Sequence, residues 1–314
     1  MKIHISGCSG YIGSAIYNSL KGDHYVRGSA RSVGAGESHT VAVDWSKITS
    51  SEMMTLQPCD IFIHCAGLAH NKALNNSSER HITGNFVTTQ NAYKAALIMG
   101  ASKFIFLSTL AVYGDKTTIS YSSQFSPNTE YGRSKLMAES WLKEQVLLSG
   151  MSLIIIRPAV VIGPDAPGNF GRLLRLLELG LPLPFPNSDS PRSVLLLDSL
   201  CAYIRASIDS SKSSLVEATL ANTPPITASA LYRNLAVPFG LRLPTLTLPR
   251  WLLRFGAVCL GRRKDFDKLF GRLVVEPFSG LPLESWRESV VWSDALTRLA
   301  IAHKKLGVTS GSNK

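Results

Sequence analysis

Blocks of apolar and polar positions alternate along the first half of the chain. Lys2–Ile5 is a short run of β-type residues, followed by a glycine-rich turn and then Tyr11–Leu20, whose apolar positions recur at helical spacing. Apolar, β-branched runs at His24–Ala30, Ile61–Cys65, Lys103–Ser108 and Leu153–Arg157 predict strands. Arg80–Met99 and Tyr131–Leu148 have the length and period of helices. Strands alternating with helices in this way form a parallel sheet covered on both faces. The pattern predicts an α/β, doubly wound Rossmann-type domain over residues 1–157.

Past Arg157 the pattern changes. Prolines at 158, 164, 167, 182, 184, 186 and 191 surround a single helical stretch, Phe170–Leu179. A strand at Leu215–Leu220 and a helix at Thr227–Ala236 read as a return to the sheet. The remainder is helical pieces broken by Pro238, Pro244, Pro249, Pro277 and Pro282. This predicts a smaller, discontinuous lobe made of 158–214 and 237–314, with 215–236 rejoining the first domain. Ligands of open parallel sheets bind at the carboxyl ends of the strands, so a lobe placed there closes over them.

Composition narrows the class. With 314 residues, 45% hydrophobic and 18% charged, the chain can bury a sizeable core. Its five cysteines are scattered without metal-type spacing and read as reduced thiols of a cytoplasmic protein. Met1-Lys2 runs straight into the first strand with no signal peptide, and no apolar run approaches the ~20 residues of a membrane span.

The net charge of +11 is uneven: Pro225–Val275 holds nine Lys/Arg against two acids. An anionic small molecule, nucleic acid, an acidic membrane surface or a plain solvated face could account for it. No nucleic-acid motif accompanies the charge. Trp251–Leu260 followed by Arg262-Arg263-Lys264 has an apolar face and a cationic end. Its first reading is core packing in the second lobe; weak contact with a membrane surface is the second.

Candidate chemistry sits at the ends of the predicted strands. In Ser6-Gly7-Cys8-Ser9-Gly10-Tyr11-Ile12-Gly13, Gly7 suits a tight turn, Gly10 a backbone approaching a pyrophosphate, and Gly13 a helix packed on its strand. The helix N-terminus then offers N–H groups to phosphate. Tyr131 and Lys135 stand four apart at the start of a helix, on one face. For Tyr131 to act as a base at neutral pH its pKa must fall from about 10 to near 7, roughly 4 kcal/mol of differential stabilisation. A neighbouring ammonium and a positive nicotinamide ring would provide it. Ser108 and Thr109 place two hydroxyls at the tip of a buried strand, and His64-Cys65-Ala66-Gly67 ends another in small residues.

Together, Gly7/Gly10/Gly13, Ala66-Gly67, Asn85, Ser108-Thr109, Tyr113-Gly114, Tyr131-x-x-x-Lys135 and Arg157-Pro158 resemble the extended short-chain dehydrogenase/reductases, in the NAD-dependent epimerase/dehydratase group that acts on nucleotide sugars. The resemblance spans essentially the whole chain. It implies Tyr131 as acid/base, Lys135 tuning it and holding the nicotinamide ribose, and Thr109 as the catalytic hydroxyl, four residues before Tyr113-Gly114. It implies cofactor contacts from Gly7, Ser9, Gly10, Tyr11, Ile12, Gly13, Arg31, Asp44, Ala66, Gly67, Asn85, Ser108, Tyr131, Lys135 and Pro158. Gly168-Asn169-Phe170, Gly180–Pro184 and Arg192-Ser193 are similar to the substrate lobe of UDP-N-acetylhexosamine enzymes. Asn169 and Arg192 would then contact the nucleotide diphosphate, and Thr109 and Tyr131 the sugar. A homodimer through the helices Arg80–Met99 and Tyr131–Leu148 is implied by analogy.

Within that family the reaction is open between two chemistries. Dehydratases carry an Asp-Glu pair directly after the active-site Thr; Leu110-Ala111 stand here instead. The second strand ends Gly28-Ser29-Ala30-Arg31-Ser32, with no carboxylate for a ribose 2′-OH and a cation that suits a 2′-phosphate. This favours NADP(H) over NAD(H). It also favours a UDP-4-keto-6-deoxy-N-acetylhexosamine 4-reductase of surface-polysaccharide sugar synthesis, with a UDP-N-acetylglucosamine/UDP-glucose 4-epimerase retaining NAD as the alternative. A non-catalytic nucleotide-binding sensor fits an intact Thr109/Tyr131/Lys135 set poorly.

Overall fold

The computed structural model describes residues 1–33, 39–68, 78–180, 183–210, 214–241, 246–281 and 290–311. Eight strands form the main sheet: β1 (Lys2–Ser6), β2 (Tyr25–Ala30), β3 (Thr40–Ala42), β4 (Ile61–His64), β5 (Lys103–Leu107), β6 (Ser152–Pro158), β7 (Leu215–Leu220) and β8 (Phe278–Ser279). Their order is β8-β7-β6-β5-β4-β1-β2-β3, parallel throughout except for β8, which pairs antiparallel with β7. The strands are apolar without alternation because both faces are covered. Ile3, Ile5, Ile63, Ile105 and Ile154 face one cluster with Ile16 and Leu20 of helix α1 (Tyr11–Leu20). Phe62, Phe104, Phe106 and Ile155 face another, under α2 (Thr88–Ile98) and α3 (Glu130–Ser149).

The chain runs from β1 outward to β3, then crosses to β4 on the other side of β1. Successive connections leave in opposite directions there. A crevice therefore opens between the carboxyl ends of β1 and β4.

Three features depart from the sequence pattern. Strand β3 has only three residues on the sheet edge, too few to register as an apolar run. The expected helix Arg80–Met99 is interrupted: Ser78–His81 is α-helical, Ile82–Val87 is a π-helix, and only then does α2 begin. A π-turn re-aims the residues it contains, and Asn85 lies in it. The helix Leu197–Asp209, which buries Leu200, Tyr203, Ile204 and Ile208 against the first cluster, has no counterpart in the expected elements.

A third cluster forms the core of the second lobe. Phe170, Leu174 and Leu177 of the helix Gly168–Glu178 meet Tyr232 and Leu235 of the helix Ala228–Ala236 and Trp292 and Leu296 of the C-terminal helix. Two-stranded ladders, Val160–Ile162 with Val194–Leu196 and Pro184–Pro186 with Leu246–Leu248, frame this lobe. Leu181 and Pro182, within the Gly180–Pro184 stretch, and Pro244 and Pro282 lie outside the described residues.

The core-packing expectation for Trp251–Leu260 fails. The helix Arg250–Cys259 buries none of its residues, and Trp251, Phe255 and Leu260 are 70%, 63% and 76% exposed. No helix among the described residues is long and apolar enough to cross a membrane.

Candidate active site

Gly7 leaves β1 with φ +73°, and a Cβ there would lie 2.7 Å from the Ala66 nitrogen and 2.8 Å from its Cα. The Gly7 and Cys8 N–H groups both donate to the Ser29 carbonyl, at 2.8 and 3.2 Å. This pins the turn across β1 and β2. A Cβ on Gly13 would sit 2.2 Å from the Gly7 oxygen, so α1 approaches its strand this closely only with glycine. At Gly10, the N-cap of α1, a Cβ would meet nothing nearer than the Gly7 oxygen at 3.3 Å. Its missing side chain clears space outside the turn.

The start of α1 is left open. No side chain caps it and no acidic residue stands in its first turn, so its free N–H groups and partial positive charge face the crevice. Ser9 is exposed there, and Ile12 packs on the first cluster. The Tyr11 hydroxyl is buried beside Gly163 of the lobe and finds no hydrogen-bond partner among the described residues. Burial, reinforced by Asp198 and Asp165, pushes its phenol up. An orphaned hydroxyl, an uncapped helix and a glycine cradle fit a dinucleotide in this corner. Gly7, Ser9, Gly10, Tyr11, Ile12 and Gly13 would hold its diphosphate. The nicotinamide supplies hydride exchange when bound.

The crevice wall after β4 is braced from below. Asn85 is fully buried; its Oδ1 accepts from the Leu68 N–H at 2.8 Å, and its Nδ2 donates to the Leu68 carbonyl at 3.2 Å and to Ser134 Oγ at 2.9 Å. It clamps the loop carrying Ala66 and Gly67 to α3. Asn85 thereby shapes the wall of the crevice.

On α3, Lys135 is buried. Its Nζ donates to the Leu107 carbonyl at 2.8 Å and stands 4.6 Å from the centre of the Phe106 ring. Half-buried Tyr131 lies one turn earlier, with its ring 6.3 Å from that of buried His81. Thr109 caps the short 3₁₀ turn Leu110–Tyr113, its Oγ1 accepting from the Ala111 N–H at 3.2 Å. Gly132 lets α3 press on that turn, since a Cβ there would lie 2.5 Å from the Ala111 oxygen. The fold thus brings Thr109 and Tyr131 into hydrogen-bond contact.

The electrostatics of the protein alone differ from the sequence expectation. Burial pushes the Tyr131 phenol above its ordinary value, and the hydrogen bond with Thr109 offsets part of this. Burial also drops Lys135 to about 8, against the pull of Cys65 and Glu139 toward the charged form. Lys135 therefore stays mostly charged at neutral pH and loses its proton as pH rises through about 8. Activation of Tyr131 would need a further positive charge, which an oxidised nicotinamide would bring.

Ser108 points away from Thr109. Its hydroxyl donates to Glu139, one turn beyond Lys135 on α3. Glu139 also receives Arg157: Nε lies 3.0 and 3.1 Å from its two oxygens, and Nη2 2.6 Å from Oε2. Arg157 reaches Glu217 at 2.5 Å and stacks 4.6 Å from the Phe125 ring centre. Arg157 and Glu139 are each 1% exposed. This knot ties the ends of β5 and β6 to α3, the three elements that carry Thr109, Pro158 and Lys135. Sequence reasoning named Ser108 and Arg157 but missed Glu139. The available signal was its spacing, four residues after Lys135 on the same helix face.

Two predicted groups flank the core. Arg31 is exposed just past β2. Asp44, beyond β3, accepts from Ser46 Oγ at 2.6 Å and the Ser46 N–H at 3.0 Å. Those bonds hold its carboxyl below the ordinary value, with smaller contributions from Lys47 and Arg31. A carboxylate thus stands near Arg31 at this end of the crevice. In the lobe, Asn169 is exposed in the first turn of its helix. Arg192 is half-buried, and its Nη1 donates to the Gly271 carbonyl at 2.6 Å. It has no carboxylate within ion-pair distance among the described residues.

The chain is similar to known proteins along most of its length. The family model described as the NAD dependent epimerase/dehydratase family matches residues 3–180. The chain is 27% identical to a UDP-glucose 4-epimerase of Vibrio cholerae over 286 residues, 87% of each chain. It is 25% identical to the N-acetyl-alpha-D-glucosaminyl-diphospho-ditrans,octacis-undecaprenol 4-epimerase of Escherichia coli O157:H7, over 56% of this chain and 54% of that one. A solved UDP-N-acetylglucosamine 4-epimerase from Bacillus cereus superposes with a TM-score of 0.76 at 18% identity, covering 97% of this chain and 99% of the other. The chain belongs to the NAD dependent epimerase/dehydratase family.

Proposed function

We propose that this chain is a 4-epimerase of a UDP-linked hexose that retains NAD. The observation that carries the reading is the meeting of Thr109, Tyr131 and Lys135 at the carboxyl edge of the sheet, beside the Gly7–Gly13 turn. The naming of the Vibrio relative, aligned along 87% of both chains, supports C4 as the reacting carbon. Tyr131 takes the proton from the C4 hydroxyl as C4 is oxidised. It returns the proton to the same oxygen once the sugar has presented its other face. Thr109 hydrogen-bonds that oxygen, and buried Lys135 keeps positive charge beside the phenol. Arg192 pairs with the UDP diphosphate, for which its planar fork is suited, and Asn169 adds a polar contact.

A second reading, 4-keto reduction with NADPH, is favoured by one observation. Arg31 is exposed at the end of β2, and the run Gly28–Ser32 itself carries no carboxylate. Asp44 weakens this reading, because a 2′-phosphate would meet its charge as well. Incubation with UDP-glucose and UDP-N-acetylglucosamine, without added reductant, separates the two. Epimers of unchanged mass are expected. Reduction of a 4-keto-6-deoxy substrate by NADPH, with no epimers formed, assigns the second reading; neither product refutes both.

A further inference from the structure

The helix Arg250–Cys259 presents exposed apolar residues that the site does not use. Trp251, Phe255 and Val258, spaced four and three residues apart, share one face and are 70%, 63% and 50% exposed. Leu252 and Leu260 extend the exposed surface, at 40% and 76%. Four arginines border it. Arg250 and Arg254 lie on the helix, and Arg262 and Arg263 just beyond its end. The sequence from Pro249 to Lys264 contains five cations and no acid.

Beside this helix is a cavity of about 960 Å³. Its wall combines Trp251, Phe255 and Val258 with the guanidinium-bearing side chains of Arg250, Arg254 and Arg263. Among the described residues one carboxylate, Asp267, answers the charge, at 3.6 Å from Arg254 and 3.8 Å from Arg263. Two cations sharing one half-exposed anion leave the surface positive. Arg250 is fixed in place, donating to the carbonyls of Ser188 and Phe270 at 3.0 and 3.1 Å.

We propose that this helix and its cavity dock the protein on an anionic lipid bilayer. Protein–protein interfaces are also enriched in aromatic residues and arginine; this face differs in its one-sided charge, five cations and no acid from Pro249 to Lys264. Here apolar and cationic groups are interleaved on one short exposed element, which is the composition of an interfacial helix. Trp251 and Phe255 enter the headgroup boundary, and the arginines pair with lipid phosphates. Docking also places the lobe at the membrane. Arg192 and Arg250 grip the successive carbonyls Gly271 and Phe270, so the docking helix and the candidate diphosphate contact share one support. The proposal is independent of which reaction occurs at C4.

The test is sedimentation of the full-length protein with vesicles of phosphatidylcholine alone and of phosphatidylcholine with a quarter phosphatidylglycerol. The wild type is expected to pellet with the anionic vesicles, to remain in solution with the neutral ones, and to be released by high salt. The double variant W251S/F255S is expected to lower partition by at least about tenfold. R254Q/R262Q/R263Q is expected to lower it by about fivefold per arginine. Thermal melting and cofactor binding of both variants should match wild type, since these side chains support neither core nor crevice. Failure of the wild type to bind anionic vesicles overturns the proposal, as does binding that W251S/F255S leaves unchanged. So does a wild-type dimer that W251S/F255S converts to monomer without a vesicle effect, an outcome that assigns the face to a second copy.

Discussion

Replacing Arg157 with methionine should cost far more than the loss of a hydrogen bond. The guanidinium and the Glu139 carboxylate are each 1% exposed, and three contacts of 2.6–3.1 Å join them. R157M leaves Glu139 buried with only the Ser108 hydroxyl, and stability should fall by about 3–5 kcal/mol. Removing both partners in E139M/R157M takes the buried pair out together, and Lys135, though it loses the pull of Glu139, keeps its hydrogen bond to the Leu107 carbonyl. Glu217 keeps Lys143 at 2.6 Å, and the main remaining loss is the Ser108 hydrogen bond, about 1 kcal/mol. The double variant should therefore lose only about 1–2 kcal/mol, so the two sites are coupled by at least about 2 kcal/mol. Urea unfolding of wild type, both single variants and the double variant measures each value, provided the slopes agree. Single costs below about 1 kcal/mol, or a double variant equal to the sum of the singles, would refute the claim that the knot acts as a unit. Because it anchors β5, β6 and α3, a destabilised R157M should also lose turnover before it loses cofactor binding.

Other expectations follow from the same geometry. G7A forces a side chain into φ +73° and against Ala66; it should cost about 1–2 kcal/mol from the backbone alone and weaken NAD binding at least about tenfold, read by calorimetry. Lys135 titrates at about 8 in the fold and near 10.5 when exposed, so the folded state binds fewer protons between those values. Its contribution to stability should therefore rise with pH across that window, while cofactor affinity declines as its charge is lost; K135M should abolish both trends. R192Q should weaken UDP binding about 10–100-fold, the value of a charge-assisted contact, without changing NAD affinity. R31A should leave NAD binding within about twofold; a large gain in NADH over NADPH usage would instead support the reductase reading.

Much of the fold was written in local patterns. The runs at Ile61, Lys103 and Leu153 are apolar throughout because helices cover both faces of the sheet. Leu215–Leu220 was delimited correctly by the same signal. What escaped depended on tertiary context. Thr40–Ala42 becomes a strand only because β2 offers an edge. The π-turn at Asn85 exists to bring one amide under Leu68, and no periodicity announces it. At the site, glycine spacing and the Tyr131/Lys135 pair were legible. The division of labour between adjacent hydroxyls was not visible in the chain itself: Ser108 turns inward to Glu139, leaving Thr109 to face Tyr131. The apolar run at Trp251–Leu260 looked like core because hydrophobic spacing carries no information about whether a partner is present.

The central claim is that Tyr131 moves the proton at C4. Turnover of UDP-glucose and UDP-N-acetylglucosamine by Y131F, measured alongside its NAD affinity, tests it most directly. Removing one oxygen from a positioned acid/base should reduce turnover by at least about 10²-fold, with NAD binding within about threefold of wild type. A Y131F enzyme that still turns over at near wild-type rate would contradict the account.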